Sequence, residues 1–315
     1  MSQTTLVRGR LAEHPLWSRA LSAPELAGRL IQPVVVSARV EDREQVADAP
    51  WLERVSLTEL VRDARVAASA GLAGFLLLAS SDRKDELALL ASERDHIVPR
   101  AIRALKDAVP DLAIVTDVCV CAYVPHGQCV LFAEGSANVD GTLQRLAEIA
   151  ALHAEAGADL LIPSGMLPGG VAALRTAVAA SGRPELAVAA AVKIESAFYA
   201  LDRQVTELSR IDERAVPLVA ADDRRAARTR ATQDVAAGAD AVLVTPALLA
   251  QDIVAEIVAT ADRPVIAAFT ADEHGLIAGS ENGIDAAVAE REIFAAARRA
   301  GADLIVTYGA IGLLG

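Results

Sequence analysis

Apolar residues along this chain fall into short runs, set between longer stretches with helical spacing. Eight runs stand out: Val34–Ser37, Phe75–Ser80, Leu112–Val120, Leu160–Ser164, Ala187–Ile194, Ala241–Thr245, Pro264–Phe269 and Leu304–Tyr308. Each is short, apolar throughout and bounded by turn residues, the pattern of a strand buried on both faces. Between them lie helix-length segments such as Leu57–Ala70, Gly141–Ala156, Arg224–Ala237 and Ala286–Ala300. One phrase recurs at the junctions: Ala156-Gly157-Ala158-Asp159, Ala237-Gly238-Ala239-Asp240 and Ala300-Gly301-Ala302-Asp303 each precede an apolar run, with a looser copy at Ala70-Gly71-Leu72-Ala73. Glycine takes the left-handed position that ends a helix, and the run that follows reads as the next strand. Eight such units predict an α/β chain folded as a (β/α)8 TIM barrel. A doubly wound open sheet is the alternative, weakened because no G-x-G-x-x-G follows the first strand.

Residues 1–30 precede this pattern and are expected to form an N-terminal arm, with residues 31–315 as a single barrel domain. His14-Pro15-Leu16-Trp17 puts apolar bulk on that arm. It either packs on a neighbouring subunit or lies across its own barrel.

Composition narrows the function. The chain has 315 residues, 53% of them hydrophobic, and a net charge of −12. That balance argues against a nucleic-acid partner, which needs a basic footprint. No apolar run approaches the ~18 residues that span a bilayer, and the start of the chain is polar. A cytoplasmic protein without membrane association is expected. Lysine occurs only at Lys84, Lys106 and Lys193 against a background of arginine, so a retained lysine is a candidate for amine chemistry.

Chemistry in a barrel sits at the C-terminal strand ends. Here these read Ser37, Ser80, Asp117 with the cysteines, Ser164, Lys193, Thr245, Phe269 and Tyr308. Asp117, Cys119 and Cys121 share parity, so an extended strand projects them to one face. The loop 122–128 turns back to bring Cys129 beside them. Three thiolates suit Zn2+ and leave a fourth position open, the catalytic rather than structural pattern. The competing view is three buried cysteines acting as small hydrophobes. His126 is either a further ligand or a group that bonds the loop or substrate. Lys193 ends a run of alanines and valines, where desolvation and nearby cations favour a nucleophilic amine; a lysine snorkelling at a strand end is the alternative. Arg203 and Arg214 follow in the next loop, placed to hold a substrate carboxylate.

Thr116-Asp117-Val118-Cys119-Val120-Cys121-Ala122-Tyr123, with His126-Gly127-Gln128-Cys129, resembles the zinc segment of the porphobilinogen synthase (5-aminolevulinate dehydratase) family. Ala191-Val192-Lys193-Ile194-Glu195-Ser196-Ala197-Phe198-Tyr199 resembles the segment around one of its two active-site lysines. Leu30–Val36, Pro246-Ala247-Leu248, Asp252-Ile253-Val254 and Ala300–Tyr308 are similar too, so the resemblance runs along nearly the whole chain. It implies a barrel that assembles into octamers and condenses two molecules of 5-aminolevulinate, with loss of two waters, in subsites called A and P. It implies zinc on Cys119, Cys121 and Cys129, an imine at Lys193, a carboxylate held by Arg203 and Arg214, and Asp117 in the same A subsite. Ser164, Tyr199 and Thr245 are further expected substrate contacts.

The departures gather on the P side. The family's second imine lysine precedes the proline at the sixth strand end; here Val244-Thr245-Pro246 puts threonine there. The serine and tyrosine that clamp the P-side carboxylate correspond to Asp272 and Gly309. The stretch after strand four reads Met166-Leu167-Pro168-Gly169-Gly170, without its acid and base. Ala200-Leu201-Asp202 lacks the usual Gly-Pro before Arg203. The leading expectation is therefore a diverged zinc enzyme with one imine-forming lysine, condensing or dehydrating an amino-keto acid such as 5-aminolevulinate in specialised metabolism. The alternatives are a genuine porphobilinogen synthase of tetrapyrrole biosynthesis and a non-catalytic member that regulates or assembles with one.

Overall fold

The computed structural model describes residues 9–314 except 82, 209–210, 212 and 280–282. In chain order the strands are β1 (Leu30–Ser37), β2 (Arg43–Val46), β3 (Ala49–Val55), β4 (Gly74–Ser80), β5 (Ala113–Asp117), β6 (Leu131–Ala133), β7 (Ser136–Asn138), β8 (Leu160–Ile162), β9 (Ala187–Lys193), β10 (Ala241–Thr245), β11 (Val265–Ala268) and β12 (Leu304–Val306). Eight of them, β1, β4, β5 and β8 to β12, follow one another in parallel. The pairing of Leu30 with Ile305 and Ile31 with Val306 joins β12 to β1 and closes the cylinder. Closure excludes the open sheet. All eight expected strands are present. The third is shorter than expected, because regular pairing ends at Asp117 rather than Val120.

The repeated phrase has a structural cause. Gly157, Gly238 and Gly301 take φ of 107°, 103° and 106°, a conformation that costs a glycine little. The aspartate two residues on then pairs with the start of the preceding strand at two points. The Asp159 amide donates to the Ile114 carbonyl at 2.8 Å, and its Oδ2 accepts the Ile114 N–H at 2.7 Å. Asp240 does the same with Val188, and Asp303 with Val265. These side chains satisfy amides that the barrel base leaves unpaired. At the looser copy, Ala73 keeps only the backbone bond, to Leu30. On the outside, side chains of Ser56, His96, Asn138, Asp223, Thr270 and Asp285 cap the helices they precede, each satisfying an orphan N-terminal amide.

Residues 1–8 of the expected arm lie outside the described residues. Residues 9–29 run across the barrel's own base. Leu11 and Trp17 are fully buried, and the Trp17 indole N–H donates to the Asp159 carbonyl at 3.0 Å. Arg10 pairs with Asp240, and His14 and Lys106 pair with Asp159. Trp17→Ala is expected to cost about 3–5 kcal/mol, from lost burial and the cavity left behind. Thermal unfolding checks this: the melting temperature should fall by roughly 6–15 °C.

The β2–β3 hairpin was not expected. Its charged positions break the alternation that marks a strand. β3 adds to β1 outside the cylinder, pairing Val35 with Arg54 and Val36 with Val55. Arg54 is buried and donates to the Val205 and Gln204 carbonyls, each at 2.8 Å. The hairpin thereby anchors the short helix Ala200–Val205, which carries two cavity residues, over the barrel mouth.

Candidate active site

A cavity of about 190 Å³ opens at the C-terminal ends of the strands. All ten residues proposed from sequence line it: Asp117, Cys119, Cys121, Cys129, Ser164, Lys193, Tyr199, Arg203, Arg214 and Thr245.

The cysteines converge by a different route from the expected strand face. Val118 makes one further ladder bond, to the Ile162 carbonyl at 2.8 Å. Val120 then turns to helical backbone, and Cys121 lies in a 3-10 turn, Cys121–Tyr123. The turn and the returning loop bring the three Sγ atoms within 4.8 Å of one another. A tetrahedral zinc with ~2.3 Å bonds needs S···S separations of ~3.8 Å, within a small adjustment of this arrangement. The donor set is soft, largely buried and, among the described residues, short of a fourth protein ligand, which fits zinc. Gly165 makes room for the returning loop, since a Cβ there would lie 2.8 Å from that of Cys129. Cys129 is pushed down by hydrogen bonds from Cys119 and Cys121, with Lys193 and Arg214 adding attraction. Cys119 is pushed up by its bond to Cys121 and by burial. His126 is not part of this cluster's wall: its Nδ1 accepts the Gln128 N–H at 3.1 Å and its ring meets Phe132 edge-on.

Lys193 closes β9 and is half-buried, with Nζ 5.3 Å from the centre of the Tyr199 ring. Tyr199 is fixed by its hydroxyl, which lies 3.0 and 2.9 Å from the Ile194 and Thr245 carbonyls. Asp117 faces the same space. Burial pushes its carboxyl up to about 6 against the opposing pull of a Ser164 hydrogen bond and Lys193. Its Oδ1 is buried without a hydrogen-bond partner. The other lysines are elsewhere. Lys84 donates to the Glu207 carbonyl at 2.7 Å, and Lys106 pairs with Asp159 at the base.

The wall across from the cysteines contains Thr245, Thr270, Asp202 and Tyr308. Thr245 sits beside Lys193 in register on β10. Asp272, expected to face a substrate carboxylate, does not line the cavity. Its Oδ2 accepts the Leu201 N–H at 2.8 Å, because it lies in the first turn of the helix Ala271–Ala278. The acid on this wall that faces the cavity is Asp202, which sequence reasoning passed over. Its Oδ1 accepts the Tyr308 hydroxyl at 2.7 Å. The available signal was an acid in the otherwise apolar stretch 197–202. The place of a side chain at Gly309 is filled: a Cβ there would lie 2.6 Å from the Glu290 carboxylate and 2.9 Å from the His274 ring. Glu290 and His274 hydrogen-bond each other, and His274 packs edge-on against Trp51 of the hairpin.

Burial, reinforced by Asp272, raises Asp202 to about 6. A carboxyl raised above its unfolded value binds more protons when folded, so its contribution to stability falls as pH rises from about 4 to about 6 and stays lost above. Asp202→Asn keeps an oxygen for the Tyr308 hydroxyl and removes the charge. The expected result is a melting temperature higher by on the order of 5 °C at pH 8, with no gain at pH 4. Melting curves at the two pH values check it.

Comparison with known proteins gives the family. Residues 8–314 match the family model for delta-aminolevulinic acid dehydratase. The chain belongs to the delta-aminolevulinic acid dehydratase family. The dehydratase of that name from Methanothermobacter thermautotrophicus is 35% identical over 292 residues, covering 91% of this chain and 89% of its own. That of Escherichia coli is 31% identical over 287 residues, covering 90% and 89%. The crystal structure of the Toxoplasma gondii dehydratase, in complex with the reaction product porphobilinogen, superposes with a TM-score of 0.88 at 28% identity. That match covers 97% of this chain and 89% of the other. Members of the family are dehydratases, and the barrel and cysteine cluster of this chain follow that pattern. Among the described residues no helix is long and apolar enough to cross a membrane.

Proposed function

We propose that this chain is a zinc-dependent lyase of the 5-aminolevulinate dehydratase type, in which Lys193 forms an imine with the ketone of one amino-keto acid. The observation that carries this reading is that Lys193 is the single lysine lining the cavity, beside the cysteine cluster and two arginines. The neutral Nζ attacks the carbonyl carbon, and the carbonyl oxygen leaves as water. Arg203 and Arg214 supply charge-assisted hydrogen bonds to the substrate carboxylate. Asp117, supported by Ser164, accepts or returns the proton at its unpartnered Oδ1. Tyr199 places its ring face 5.3 Å from the Lys193 amine. Cys119, Cys121 and Cys129 would hold a zinc ion, which would supply Lewis acidity toward a substrate oxygen. The family likeness supports cytoplasmic action as a homo-oligomer, an octamer by analogy.

The comparisons favour porphobilinogen, made from two molecules of 5-aminolevulinate, as the product. One observation favours a second reading, in which the imine on Lys193 meets a different partner. Thr245 occupies the position at which a second imine would form, and a hydroxyl forms none. Glu290 and His274 fill the space of the missing clamp residue at Gly309, so the second anchor has been rebuilt rather than merely trimmed. A pyrrole colour assay on zinc-loaded protein with excess 5-aminolevulinate decides. Turnover within about tenfold of the Escherichia coli dehydratase establishes the first product; turnover lower by on the order of 10³, with the Lys193 adduct still forming, establishes the second reading.

A further inference from the structure

We infer that the half of the cavity across from the cysteines takes a cationic, amine-bearing co-substrate and rejects a second carboxylate. This rests on the reading of Lys193 as an imine-forming amine. Charge in the cavity is divided. Its cationic side chains are Lys193, Arg203 and Arg214, and Arg203 and Arg214 interact with the thiols of the cysteine cluster. The opposite wall offers a carboxyl, Asp202, with hydroxyls from Tyr308, Thr270 and Thr245 and no cation.

Asp202 is built in rather than incidental. Tyr308 and the Ala271 amide both donate to Oδ1, at 2.7 and 3.4 Å; its other oxygen accepts from no described group. Asp272, Glu273 and Tyr308 surround it and add negative charge or lone pairs, and the one cation that acts on it is Lys193. Lys193 anchors the first substrate, so the Asp202 end is left with two neighbouring acids, Asp202 and Asp272, and no cation of its own among the lining residues. An incoming ammonium group restores the balance and can donate to the remaining Asp202 oxygen, whereas a carboxylate meets like charge at close range in a desolvated space. Asp117, buried with an unpartnered oxygen, makes the first half-site receptive to an amine as well. The favoured pair is therefore one amino-keto acid, its carboxylate on the arginines, and one partner with an amine but no carboxylate at the Asp202 end.

Two small ketones separate the charges. Aminoacetone carries the amine and no carboxylate; levulinate carries the carboxylate and no amine. Zinc-loaded protein is treated with 5-aminolevulinate and borohydride, and mass spectrometry verifies the adduct at Lys193. The trapped protein is then titrated calorimetrically with each ketone. Aminoacetone is expected to bind at least about tenfold more tightly than levulinate, and Asp202→Asn is expected to erase the difference. Equal or tighter binding of levulinate, no measurable binding of aminoacetone, or a preference that survives in Asp202→Asn overturns the inference. Absence of the adduct at Lys193 is a separate failure, that of the imine reading; the same two titrations on Arg203→Ala/Arg214→Ala protein, in which levulinate has no arginine to meet, then measure the charge preference of the wall.

Discussion

Lys193→Arg is expected to lower dehydratase or condensing activity by at least on the order of 10³-fold, and to abolish borohydride trapping with 5-aminolevulinate. A guanidinium stays protonated at any working pH and is no nucleophile toward a ketone. The substitution keeps the positive charge beside Asp117 and Asp202, so lost activity reports lost covalency rather than altered field. The side chain lies against an open cavity, which has room for the longer group. Lys106→Arg serves as the control, because Lys106 pairs with Asp159 at the opposite end of the barrel. Peptide mass mapping after reduction is the direct measurement. An adduct that persists in Lys193→Arg, or one found on Lys84, transfers the chemistry to another amine and ends the proposal.

The second large effect concerns the cysteines. Cys119→Ala/Cys121→Ala is expected to reduce zinc from about one ion per chain to less than about a tenth, and activity by at least about 10²-fold. One remaining thiolate cannot hold a tetrahedral ion against water. The fold should survive, because the cluster sits at the mouth while the core is formed by strand and helix side chains below it. Metal analysis on the purified variant, with circular dichroism to verify folding, gives the answer. Equal zinc in wild type and variant removes the metal from this site.

The eight barrel strands were legible because parallel strands with both faces covered must be apolar throughout, and such runs are conspicuous between amphipathic helices. The Gly-x-Asp phrase was legible as punctuation, since only glycine ends a helix at φ near 105° without strain. What it did at the barrel base was not, because the partner amides of Ile114, Val188 and Val265 lie some 38 to 52 residues away in the chain. The cysteine cluster was also legible, though for an incomplete reason. Parity along an extended strand pointed to one face for Cys119 and Cys121; the actual convergence comes from a turn that leaves the strand at Asp117.

The chain sequence by itself determined the barrel, the single lysine of the cavity, the three thiols and the threonine at the end of the sixth barrel strand, since each is a matter of residue type at a strand end. Tertiary structure alone decided three things. The segment with Leu11 and Trp17 covers its own barrel, because the base offers both an apolar surface and acceptors on Asp159 and Asp240. The β2–β3 hairpin anchors the helix that carries Asp202, through Arg54 and two carbonyls some 150 residues on. And Asp202 rather than Asp272 faces the cavity, because the first turn of a helix orients Asp272 toward the Leu201 amide. Which of two acids meets a substrate depends on the direction of a side chain, and that direction follows from packing between distant elements, which local pattern does not encode.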